Sequence, residues 1–126
     1  MKKIVSTLKA PKAIGPYVQA IESNNMLFIS GQLGLNPITT TLTNGIEEQT
    51  KQSLENLKAI LEEAKLNFSN IVKTTIFITN MEDFPKINAI YEKYFNGNFP
   101  ARSTIQVSAL PKSGLIEIEA IATKEI

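Results

Sequence analysis

The stretch IVKTTIFIT, residues 71–79, is β-branched at nearly every position, which is the composition of a strand. Helical patterns flank it on both sides. Upstream, Ile46, Leu54, Leu57, Ile60, Leu61 and Ala64 recur mostly at helical spacing, with Asn44 as N-cap candidate and Glu47 three residues later. Downstream, Asn80 is the cap candidate for a second helix through EDFPKINAIYEKYF, where Pro85 falls in a first turn that tolerates it. Each strand-helix-strand passage is most simply a right-handed crossover. A mixed sheet with both helices on one face is therefore expected.

Working outward, YVQAIESNNMLFIS holds two extended runs around Ser23-Asn24-Asn25, residues that tolerate turn geometry, and reads as a hairpin. GQLGLNPITTTLTNG follows as a loop. STIQVSAL and LIEIEAIAT read as two further strands joined by the turn-like PKSG, paired as a second hairpin. The order is β-β-loop-α-β-α-β-β, one α/β (α+β) domain over residues 1–126 with no repeat, low-complexity tract or linker.

Both faces of this sheet carry apolar side chains. Val72, Ile76 and Ile78 are assigned to one face of the 71–79 strand, Ile71 and Phe77 to the other, and MLFIS is similarly two-sided. One helical layer covers one face. The other is expected to pack against further subunits, the alternative being cover by the chain's own loops.

Composition narrows the chemistry. The 126 residues, 43% of them hydrophobic, suit one domain with a full core. Thirteen basic against twelve acidic residues give a net charge of +1, no field to gather nucleic acid or an anionic membrane. No signal-peptide run or membrane span is read, so a cytoplasmic chain is expected. Cysteine and histidine are both absent. That removes Ser-His-Asp and Cys-His nucleophilic sites and thiolate or imidazole zinc sites. A carboxylate-only site for a hard cation stays open, but no acidic cluster is spaced like a calcium loop, so no metal is expected, and acid-base work falls to carboxylates, lysine, tyrosine or water.

Arg102, in FPARSTIQV, is a permanent charge at the start of a core-bound strand. Its planar guanidinium can hold a carboxylate through two parallel hydrogen bonds; the alternative is a structural ion pair. Strand alternation puts Glu117, Glu119 and Ile121 on one face of IEIEAIA and Ile116, Ile118 and Ala120 on the other. Glu117 is the second candidate, against a solvated edge. Tyr17 after Gly-Pro offers a hydroxyl or anchors a turn. Ser30 has no histidine to activate it, so Ser30 and Gly31 read as donors beside a ligand or as a turn, and GQLG is too weak for a phosphate loop. Lys73 could form a Schiff base if desolvated or could simply reach water. Asn88 could present an amide to a ligand or face solvent.

Taken together, IGPY, FISGQLGLNP, IEEQTKQSLENLKAIL, IVKTTIFITNMEDFPKINAIYEKYF and FPARSTIQVSALPKSGLIEIEAIA resemble the Rid family, the reactive intermediate deaminases formerly called YjgF. The resemblance covers almost the whole chain. It implies a chorismate-mutase-like subunit with a six-stranded mixed sheet, assembled as a homotrimer with sheets inside, helices outside and pockets between subunits. It also implies hydrolysis of 2-imino acids such as 2-iminobutanoate and 2-iminopropanoate. These arise from enamines released by pyridoxal-phosphate-dependent dehydratases, and the products are 2-keto acids and ammonia, with no cofactor on the protein. Arg102 matches the arginine that binds the substrate carboxylate and Glu117 the glutamate that positions water. Tyr17, Ser30 and Gly31 match pocket-lining positions. Thr104 stands where many bacterial members carry cysteine, so a thiol is not required here. A keto-acid sensor would use the same pocket without turnover, and ribonuclease activity has been credited to the broad family, although balanced charge and the lack of histidine favour neither RNA binding nor RNA cleavage.

Overall fold

The computed structural model describes residues 1–125. Its elements are β1 Lys3–Val5, β2 Ala20–Ser23, β3 Met26–Leu33, α1 Gly45–Glu63, β4 Ile71–Ile78, α2 Phe84–Phe95, β5 Ala101–Gln106 and β6 Ile116–Thr123. The sheet order is β1-β2-β3-β6-β4-β5; β4 and β5 pair in parallel and the other pairings are antiparallel. This is the mixed six-stranded sheet with two helices that the family resemblance implies. Residue patterns alone had yielded five strands, because β1 is only three residues long.

Asn24 and Asn25 close the β2–β3 hairpin with φ of 56° and 64°, the left-handed pair that a tight two-residue turn requires. Along α1, Ile46, Leu54, Leu57, Ile60 and Leu61 form the buried stripe that its spacing predicts. Leu57 is 0% exposed and belongs to the same buried cluster as Leu27, Ile76, Ile87 and Ile118, so truncating it to alanine removes about 2–5 kcal/mol. Polar residues on the same face bind the end of β3. Ser53 donates to the Gln32 carbonyl (2.7 Å), and Asn56 donates to those of Leu33 and Leu35 (3.1 and 2.9 Å). A Cβ on Gly34 would lie 2.5 Å from the Gln49 Cα, so glycine is what lets α1 sit directly on the strand end.

Three expectations need correction. The last two strands do not form a hairpin. The crossover through α2 returns β5 parallel to β4 on the outer edge, while β6 inserts between β3 and β4. Residues 107–115 carry the chain back across the end of β4, where Thr79 N–H donates to the Leu115 carbonyl and Leu115 N–H to Gln49 Oε1. Second, Val72 does not share a face with Ile76 and Ile78. The β4–β6 register shifts between Ile71 and Lys73, a bulge that leaves Ile71 buried and Val72 42% exposed. Third, Asn80 caps a short 3-10 turn, Met81–Asp83, that leads into α2, rather than α2 itself, whereas Asn44 is the N-cap of α1 as expected, without a side-chain hydrogen bond.

The sheet face away from the helices is open. Phe28 and Ile105, each 45% exposed, stand on it beside the half-buried Phe77 and Ile121.

Candidate functional site

Arg102 lies on the edge strand β5, in register with Thr74, and shares the helix side of the sheet with it. Its Nη1 donates to Asn88 Oδ1 at 2.9 Å. Its guanidinium carbon is 5.2 Å from the Phe84 ring centre and 5.0 Å from that of Tyr91. Tyr91 is in turn hydroxyl-bonded to Thr74 at 2.6 Å. Burial raises the Tyr91 pKa, against the lowering pull of that bond and of the Arg102 charge. Arg102 forms no ion pair among the described residues, so the structural salt bridge is not realised. Asn88 faces the arginine rather than solvent. A cavity of about 440 Å³ opens here between Asn88, Tyr91, Glu92, Phe99, Pro100 and Arg102. Thr104, two residues along on the same face, has a buried hydroxyl with no hydrogen-bond partner among the described residues.

Glu117 lies on the open face, opposite Phe77 of β4 and Leu33 of β3. The β3–β6 register shifts between Ile29 and Gln32, which makes Ser30 and Gly31 a bulge. Gly31 is where the Glu117 carboxyl rests, because a Cβ there would stand 2.7 Å from Glu117 Cδ. Partial burial, and secondarily the charge of Glu119, raise the Glu117 pKa. Its carboxyl accepts no hydrogen bond among the described residues, which leaves both oxygens free to hold water.

Ser30 is committed structurally. Its hydroxyl donates to the Val18 carbonyl (2.7 Å) and its N–H to that of Gln19 (2.9 Å). These bonds tie the segment bearing Tyr17 to the bulge, and Tyr17 itself is 52% exposed after the left-handed Gly15 (φ 117°). Gln19, which sequence reasoning missed, anchors the same loop through Thr7 N–H (2.7 Å) and the Pro11 carbonyl (2.8 Å). Lys73 is half-buried opposite Ile121 and Ala101, away from both clusters.

The candidate residues thus fall into two groups. Ser30, Gly31 and Glu117 gather around the β3 bulge, with Tyr17 on the adjoining segment in a separate cavity lined by Ile4, Thr7 and Lys12, while Asn88, Arg102 and Thr104 lie on the helix side of β5. Glu117 and Arg102 are separated by β4 and by three residues of register, about 14 Å between backbones at ordinary sheet spacings. Their side chains also leave opposite faces. Phe84, Tyr91 and Thr74 escaped the sequence reading, although Phe84, Asn88 and Tyr91 fall at i, i+4, i+7 on one helix face.

A mixed six-stranded sheet backed by two helices on one face, with a lone arginine at its edge and a glutamate on its open face, defines a chorismate-mutase-like α+β protein. Residues 7–124 match the family model described as Endoribonuclease L-PSP, and the chain belongs to that family, the YjgF/RutC or Rid proteins. It is 48% identical to the 2-iminobutanoate/2-iminopropanoate deaminase of Mus musculus, over 98% of this chain and 93% of that one. A RutC family protein of Pyrococcus horikoshii is 50% identical over 99% of this chain and 100% of its own. Among solved structures, Escherichia coli TdcF with bound serine superposes with a TM-score of 0.94 at 44% identity, covering 98% of this chain and 99% of that one. The YjgF gene product of Escherichia coli does so with 0.94 at 47% identity, over 98% and 99% of the two chains.

Proposed function

We propose that this chain hydrolyses small 2-imino acids to 2-keto acids and ammonia at sites formed between the subunits of a homotrimer. The observation that carries the reading is the division of the candidate residues. Among the described residues, an Arg102 without an ion-pair partner stands at one edge, and a Glu117 free of protein donors stands on the opposite face. Neither half is a complete site, and a second copy brought edge to face would join them. The apolar open face with Phe28 and Ile105 is the surface on which such copies would meet. The relatives named imine deaminases at 48% and 47% identity support the chemistry.

In this reading the free N–H edge of Arg102 grips the substrate carboxylate by a two-pronged, charge-assisted contact. Thr104 and the backbone near Gly31 line the pocket. Glu117 of the neighbouring copy holds water against the imine carbon. Water oxygen adds to that carbon as its proton passes through the carboxylate to nitrogen. The carbon–nitrogen bond of the resulting carbinolamine then breaks, releasing ammonia and leaving the keto acid. Only water and proton transfer are needed, so the gain is positional with general-base help. A raised Glu117 pKa suits a group that must both accept and return a proton.

The test generates the enamine in place with a serine or threonine dehydratase and traps the imine with semicarbazide. Wild type should suppress trapping and Arg102→Ala should not. Equal trapping with and without folded wild-type protein contradicts the deaminase reading and favours a keto-acid sensor.

A further inference from the structure

We propose that Phe84 and Tyr91 are positioning residues that hold the Arg102 guanidinium over two aromatic rings and so set the protein's grip on carboxylate substrates. The inference rests on the assignment of Arg102 as the carboxylate clamp. Phe84 and Tyr91 are seven residues apart on α2, about 10.5 Å along a helix axis. The guanidinium carbon lies 5.2 Å from one ring centre and 5.0 Å from the other. Both rings therefore lie within cation–π range of the guanidinium. Asn88, midway along the same face, takes one N–H of Nη1 at 2.9 Å. Three helical residues thus fix an arginine that has no acidic partner among the described residues.

This arrangement solves a specific problem. An ion pair would fix Arg102 equally well but would neutralise the charge and occupy the fork that a substrate carboxylate needs. Ring faces attract the cation without consuming its in-plane donors. One amide oxygen uses a single N–H and leaves the rest of the fork available. Tyr91 is 4% exposed, and its ring is held by the 2.6 Å bond between its hydroxyl and that of Thr74. Phe84 is only partly buried, so it is the ring that can be changed without opening the core.

The experiment measures KM and kcat for imine hydrolysis in Phe84→Leu, Phe84→Trp, Thr74→Val and Arg102→Ala, each checked for folding by its thermal melt. Phe84→Leu removes the ring face while keeping an apolar side chain. It should raise KM about threefold to tenfold, with kcat within about twofold of wild type because the clamp holds ground state and transition state alike. Phe84→Trp, which restores a π-face, should return KM toward wild type, an outcome that a merely space-filling role would not give. Thr74→Val, which frees the Tyr91 hydroxyl, should move KM in the same direction by less. Wild-type KM in Phe84→Leu and Thr74→Val, beside a large KM increase in Arg102→Ala, overturns the positioning role and leaves the clamp standing. Wild-type KM in Arg102→Ala overturns the clamp itself, and the positioning role with it.

Discussion

Replacing Gly31 by alanine should separate activity from stability. The new Cβ would meet the Glu117 carboxyl carbon at 2.7 Å, its Cγ at 2.9 Å and Oε2 at 2.9 Å, where ordinary contact begins at 3.4 Å. The obstacle is the far end of a flexible side chain, so the carboxyl group swings away by about 1 Å while the backbone stays in place. Gly31 is not among the glycines with left-handed φ, so alanine fits its backbone and stiffens the unfolded chain by about 0.4–1 kcal/mol. The displaced Glu117 rotamer costs about 0.5–1.5 kcal/mol, and the two effects nearly cancel. Catalysis has no such compensation. Misplacing a water-holding group by about 1 Å lowers turnover up to about 100-fold, equivalent to about 2.7 kcal/mol of barrier. Urea titration and semicarbazide-trapping kinetics on the same sample read both quantities. Near wild-type kcat, or a stability loss above about 3 kcal/mol, would refute this account of the contact.

Arg102→Lys should raise KM by about 10-fold or more, because a point charge replaces a two-pronged contact worth about 1.5–3 kcal/mol; steady-state kinetics check it. Glu117 titrates above its ordinary value through burial and the Glu119 charge, so in the folded state it holds its proton longer than in the unfolded state. Its contribution to stability therefore falls as pH rises from the ordinary glutamate value through the raised one, and Glu117→Gln should remove that loss in melts across this range. The acid limb of the turnover profile should follow the same group, and Glu119→Gln should shift it to lower pH. If the open face joins copies as proposed, Phe28→Glu should dissociate the homotrimer and abolish turnover together, as read by sedimentation and trapping.

The two crossovers around β4 were legible because α1 and α2 carry clean helical stripes and β4 is β-branched throughout, and those features alone imply one helical layer on a mixed sheet. The place of β6 was not legible. Its glutamates at 117 and 119 make it look like an edge strand, yet Ile116, Ile118, Ala120 and Ala122 pack it into the sheet centre. Nothing local says that a chain separated by a short turn skips its neighbour. Bulges hide for a related reason, since those at Val72 and at Ser30-Gly31 depend on what lies across the ladder. Glu117 and Arg102 stood out as charges on apolar strands. That they face opposite ways follows only from the register, and Phe84 and Tyr91 escaped the sequence reading because their contact with Arg102 is defined by where the arginine lies.

The shared site is tested most directly by subunit mixing. Arg102→Ala and Glu117→Gln proteins, each expected to turn over poorly alone, are dissociated, combined in equal amounts and reassembled. If each site takes its arginine from one subunit and its glutamate from the next, about a quarter of the interfaces in a randomly mixed ring regain both residues, and imine hydrolysis returns to about that fraction of wild type. Assembled mixtures that stay inactive would contradict a site shared between copies.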